Sequence, residues 1–230
     1  MDKTHTPIFA PVNQMVKKRR RLTDMPTQDK SNDSTEQKIF DAAHELFVQK
    51  GLDGAKMQEI ADRAGINKAL LHYYYRTKDK LYEMVAKSII HQGIPIIQKT
   101  IESDLPLEEK IIKFVDFYID LIRKNPFIPL FIISEMNKHP EQFFEKMMPA
   151  KLPRPEIFLK QVEEAVAAGT IRPVNPQHLL LNIISMCVFP FVARPMMQMV
   201  LGMNKPEADQ FLKQRKVEVT EFIFAALRPR

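Results

Sequence analysis

From residue 34 onward, apolar positions recur every three or four residues, and no stretch alternates strictly between apolar and polar. That period puts the apolar side chains on one stripe of a helix, so the pattern predicts an all-α fold. Ser34-Thr35-Glu36-Gln37 has the spacing of a capping box, and Ile39, Ala42, Ala43, Leu46 and Phe47 then share a face, with Gly51 predicted as the C-terminal stop. Short helices are expected at about 57–64 and 68–75, then a long one from a Thr77 cap to about Ile101. Further helices are expected near 106–124, 127–138, 141–148, 155–168, 176–201 and 206–227, each preceded by proline, glycine or asparagine.

The two short helices have the spacing of a helix-turn-helix. Ala61 is small enough for close crossing of the helices, Gly65 permits the positive φ of the turn, and Ile60, Ile66 and Leu71 are expected to close the small core. Asn67 is a candidate N-cap, which places Lys68 and Ala69 in the first turn of a recognition helix, where side chains meet base edges. His72, Tyr73 and Tyr74 add ring donors, and Lys78 adds a cation at the start of the next helix. Tyr75 is expected to pack inward, toward Phe47.

Charge changes this picture in one place. The net charge is +6, and residues 1–33 hold half of it, chiefly through Lys17-Lys18-Arg19-Arg20-Arg21. This segment has no sustained periodicity and is expected to be a disordered tail; the run is either an arm that neutralises phosphates or a solvated charge cluster. Residues 34–82 carry only +1, which leaves open a second reading, a helical interaction module with a degenerate helix-turn-helix. The domain boundary is expected near residue 82, with 83–230 as a helical second domain.

Several function classes receive no support. There is no glycine-rich phosphate loop, no cysteine or histidine cluster with metal spacing and no nucleophile motif, so neither enzyme activity, a cofactor nor a metal is expected. The single cysteine, Cys187, lies in an apolar stretch and is expected to be a buried, inert thiol. The start of the chain has no signal-peptide core, and the apolar run 179–193 is broken by Asn182, Ser185 and Pro190, so a cytoplasmic protein without a membrane partner is expected.

The pattern Ile39-x2-Ala42-Ala43-x3-Phe47-x3-Gly51, Ile60-Ala61-x2-Ala64-Gly65, Leu71-His72-Tyr73-Tyr74-Tyr75-x-Thr77-Lys78-x2-Leu81 resembles the N-terminal three-helix domain of the TetR family of bacterial transcriptional regulators. The resemblance implies that Lys68, Ala69 and Tyr73 read bases while His72, Tyr74 and Lys78 hold the backbone, with Gln58 and Asn67 beside them. It departs from the family at His72, where tyrosine is usual, and at Met57, where a threonine or serine commonly caps the helix and touches phosphate; Lys56 is the candidate replacement. Beyond residue 82 the resemblance implies a ligand-binding and dimerisation domain, hence a homodimeric repressor on a palindromic double-stranded operator, released by a small effector.

The residues offer their own candidates there. Phe114, Phe117, Tyr118, Phe127, Phe131, Met136, Phe143 and Phe144 are either the lining of an adaptable apolar pocket or ordinary core, and His91 is a candidate ligand contact. The last two long helices are too apolar for lone surface helices, which suits either a two-fold interface or an internal core. Pro95 and Gly93 predict a kink in the long helix, and a ligand near it is expected to move the reading heads.

Overall fold

The computed structural model describes residues 29–138, 140–149 and 153–229. The basic run Lys17–Arg21 and most of the predicted tail lie outside them. Eleven helices and no strand are present among the described residues. They are α1 Asp29–Gly54, α2 Met57–Ala64, α3 Lys68–Tyr74, α4 Lys78–Ile101, α5 Leu107–Lys124, α6 Ile128–Lys138, α7 Pro140–Met147, α8 Pro155–Ala167, α9 Pro176–Val192, α10 Arg194–Leu201 and α11 Lys205–Leu227. The all-α expectation holds, and the described residues divide within α4, between Gln92 and Gly93, into two compact units.

Two boundaries differ from expectation for physical reasons. The first helix begins at Asp29, not at a Ser34 cap, so residues 29–33 are helical where a tail was expected. Each residue added to an existing helix brings one more backbone hydrogen bond, which outweighs a single hydroxyl cap. Gly51 does interrupt the helix, with φ 68° and ψ −175°. The expected helix 176–201 is two helices, α9 and α10, bent by 75° across Ala193. Pro195 cannot donate to the Phe191 carbonyl, and its ring crowds that oxygen.

Inside α9, Pro190 likewise leaves the Met186 carbonyl without its usual helical donor. The Arg215 guanidinium of α11 donates to that carbonyl at 3.2 Å. A proline in the last turn of a core-forming helix is thus compensated by a side chain from its packing partner.

The first unit is closed by Ile39, Ala43, Phe47, Ile60, Ala61, Leu71, Leu81 and Val85, all essentially without exposure. Phe47 meets Tyr82 edge to face at 4.9 Å, a partner not read from the sequence. In the second unit, α5, α9 and α11 share a core in which Ile119, Val115, Ile183, Cys187, Val219 and Ile223 are buried. Burial pushes the Cys187 thiol up to about 12. The folded protein is therefore expected to resist iodoacetamide at pH 8 and to react once in 6 M guanidinium; rapid labelling of folded protein counts against this packing.

α4 continues as helix through Pro95, where the sequence predicts a kink. Gly93 has a packing role there: a Cβ would lie 2.8 Å from Leu121 Cδ2, so α4 and α5 approach closely at this point. Lys110 is buried, an outcome that the sequence reading did not anticipate. Its Nζ donates to the Ile101 carbonyl at 2.9 Å, placing a cation at the C-terminal end of α4, and burial draws its pKa down.

Candidate nucleic-acid interface

The turn between α2 and α3 is built by backbone hydrogen bonds. Gly65 has φ 68° and ψ 32°; its N–H donates to Asp62 O at 3.2 Å, and the Ile66 N–H donates to Ala61 O at 3.0 Å. That double closure is a Schellman motif, and it requires a left-handed residue where glycine stands. Asn67 then caps α3, its Oδ1 accepting from the Leu70 N–H at 2.7 Å. Leu71 is wholly buried and fixes the rotation of α3, so Lys68, Ala69, Leu70, His72 and Tyr73 are exposed together. Tyr73 is 81% exposed, an unusual position for a large ring without a partner surface.

The flanking groups are positioned in different ways. Tyr74 is half-buried and packs edge to face with Tyr73 at 5.7 Å, while its other neighbour, Tyr75, stacks on it at 6.5 Å. Burial, then the nearby Glu36 carboxylate, push the Tyr75 hydroxyl up to about 12, consistent with an inward ring. His72 Nδ1 lies 3.3 Å from Arg76 O, so the tautomer protonated there can donate to it and keeps Nε2 as an acceptor. Lys78 Nζ donates to Asp53 O at 3.4 Å, tying the start of α4 to the end of α1, and Thr77 Oγ1 accepts from the Lys80 N–H. Lys56 is exposed at the N-cap of α2 without a side-chain cap bond, and Gln58 Nε2 donates to Asp62 Oδ1 at 2.8 Å.

Two cations of this unit are committed elsewhere. Lys50 pairs with Glu59 at 3.0 Å and Arg63 with Glu45, holding both carboxyls below their usual range. Lys56, Lys68, Arg76, Lys78 and Lys80 are among the cations outside those pairs. Sequence reasoning omitted Arg76, Lys80 and Leu70. Leu70 was legible in principle, since position 71, not 70, continues the apolar stripe, leaving an apolar group on the exposed face that suits a thymine methyl.

The residues predicted to line an effector pocket differ in burial and packing. Phe114 is buried, stacks on Tyr118 at 5.3 Å and borders a void of about 10 Å³, roughly one water. Phe117 and Tyr118 pack against the same core, Phe127 and Phe131 are buried, and His91 is half-buried. Phe143 is buried in α7 beside Phe144, while Phe144 and Met136 are exposed. Among the described residues no single helix is long and apolar enough to cross a membrane, and no cluster of three or more potential metal ligands occurs.

The comparisons agree with this geometry. The family model described as bacterial regulatory proteins, tetR family, matches residues 39–85, and one described as tetracyclin repressor-like, C-terminal domain, matches residues 108–223. The HTH-type transcriptional regulator RutR of Escherichia coli is 24% identical over 192 residues, covering 84% of this chain and 90% of RutR. The icaADBC negative transcriptional regulator IcaR of Staphylococcus epidermidis is 27% identical over 109 residues, 44% of this chain and 59% of IcaR. The crystal structure of a TetR transcription regulator from Haloarcula marismortui is similar in fold, with a TM-score of 0.57 at 19% identity, covering 86% of this chain and all of that one. With a matched reading head and a C-terminal model that spans half of its residues, the chain belongs to the TetR family of DNA-binding transcriptional regulators.

Proposed function

We propose that the protein is a homodimeric, ligand-responsive repressor whose α3 enters the major groove of each half of a palindromic operator. The observation that carries this reading is the exposed face of α3, where Lys68, Ala69, Leu70 and Tyr73 surround a buried Leu71. In this reading Lys68, Ala69 and Tyr73 contact bases. His72, Tyr74 and Lys78 hold phosphates, with Lys56 and Gln58 at the start of α2 and the Asn67 amide nitrogen at the start of α3.

Dimerisation is supported by the second apolar face of the last long helices. On α9, Leu179, Ile183 and Cys187 point into the core, while Leu181 and Phe189 are 59% and 56% exposed. On α11, Leu212, Val219, Ile223 and Leu227 are buried, while Val217 and Phe222 are 56% and 66% exposed. Neither use of these helices excludes the other: one stripe forms the core and the other suits a two-fold mate. The repressive sign is drawn from IcaR, named a negative regulator.

The test is enrichment of random duplex DNA by the full chain, followed by anisotropy on the winning sequence across a salt series. An inverted repeat is expected, with affinity that falls steeply as salt rises because phosphate contacts release counterions. Tyr73→Ala is expected to weaken binding by about 10- to 100-fold, the scale of one lost base contact, with an unchanged melting temperature. Failure to enrich any sequence overturns the reading.

A further inference from the structure

A second cavity, of about 330 Å³, lies where the end of α5, the bend between α9 and α10, and the first half of α11 meet. Its charged lining is Arg123, Arg194, Lys213 and Asp209, and its apolar walls are Pro126, Phe191 and Leu212. The volume falls in the range of about 300–1,000 Å³ typical of small-molecule sites.

The charge pattern in this cavity is out of step with its surroundings. Along the seam of α5 and α11, Asp120 accepts from Lys216 at 2.7 Å and also lies 3.5 Å from Arg123. One turn further along both helices, a second carboxylate would continue the alternation; instead Arg123 and Lys213 line the same space. Arg194, brought in by the 75° bend, adds a third cation, held by Asp209. Counting Lys216, four cations face two carboxylates, so two positive charges remain in excess. Like charges gathered in one concavity repel, and a bound anion relieves that repulsion.

We propose that this cavity binds a small amphipathic carboxylate, its anionic end between Arg123, Arg194 and Lys213 and its apolar body against Phe191 and Leu212. Binding at this site does not depend on the regulator reading, whereas its use as the effector site rests on that reading. The aromatic cluster around Phe114 borders a void of only about 10 Å³, whereas this cavity, at about 330 Å³, lies at a helix break that the sequence pattern hides.

Calorimetry on the full chain with 1-naphthoate and its neutral isostere 1-naphthamide tests the proposal. The wild type is expected to bind the carboxylate at least about tenfold more tightly than the amide, as charge-assisted hydrogen bonds allow, and to lose part of that preference at high salt. In Arg123→Gln/Lys213→Gln, which leaves the Arg194–Asp209 pair in place, the preference is expected to fall to within about twofold with an unchanged melting temperature. Lys213→Gln alone, at an exposed position, is expected to be intermediate and serves if the double variant folds poorly. No binding of naphthoate, equal binding of the two probes, or a preference kept by the variants overturns the proposal.

Discussion

Replacing Phe222 by glutamate is expected to convert the protein to monomers and to lower its affinity for a full inverted repeat by about 10²- to 10⁴-fold, the avidity contributed by a linked second reading head. The ring is 66% exposed on α11, at the edge of the face on which Val219 and Ile223 are buried, so glutamate there leaves the internal core intact. On a two-fold axis each substitution is applied twice, and like charges placed in an apolar contact repel as well as lose packing. Sedimentation velocity should show the monomer, and anisotropy on a single half-site should show little change. A variant that remains dimeric, or one that loses half-site binding as severely, counts against this face as the interface.

Leu71→Ala is expected to cost about 2–5 kcal/mol, a large part of the roughly 5–15 kcal/mol by which domains are stable. Leu71 is the buried residue of a seven-residue helix, and helices this short do not persist in water without tertiary packing. Its loss leaves a cavity beneath the recognition helix and removes the anchor that fixes which side chains face outward. Urea denaturation should show the midpoint falling, and operator affinity should fall with it. The contrast with Tyr73→Ala is diagnostic: that ring is 81% exposed, so its loss is expected to lower binding while stability stays. A destabilisation below about 1 kcal/mol for Leu71→Ala would show that α3 is held by something other than its buried leucine.

The reading head was legible in the sequence because its geometry is local. Gly65, Asn67 and Leu71 act within a few residues of one another, so spacing alone reveals the turn, the cap and the outward face. The second unit was legible only as a list of helices. Whether Phe114 lines a pocket or fills a core depends on Phe158 and Ile183, far along the chain, and no periodicity encodes that distance. Lys110 reads as a surface residue of an amphipathic helix until Ile101 O is found beside it. The break at Ala193 was missed because apolar residues continue on both sides of it, although Pro195 was a sufficient signal. The two faces of α9 and α11 were visible as excess hydrophobicity, but dividing them into inward and outward stripes required the packing.

The buried thiol of Cys187 has a practical consequence. It is the chain's one cysteine, so a second one introduced at an exposed position becomes the single reactive handle on the native protein, with no need to remove the first. A dye attached at Glu83→Cys, an exposed position of α4, in each protomer of the proposed homodimer would report the separation of the two reading heads by energy transfer. The same packing that makes one side chain chemically silent thus makes the proposed movement of the reading heads open to measurement.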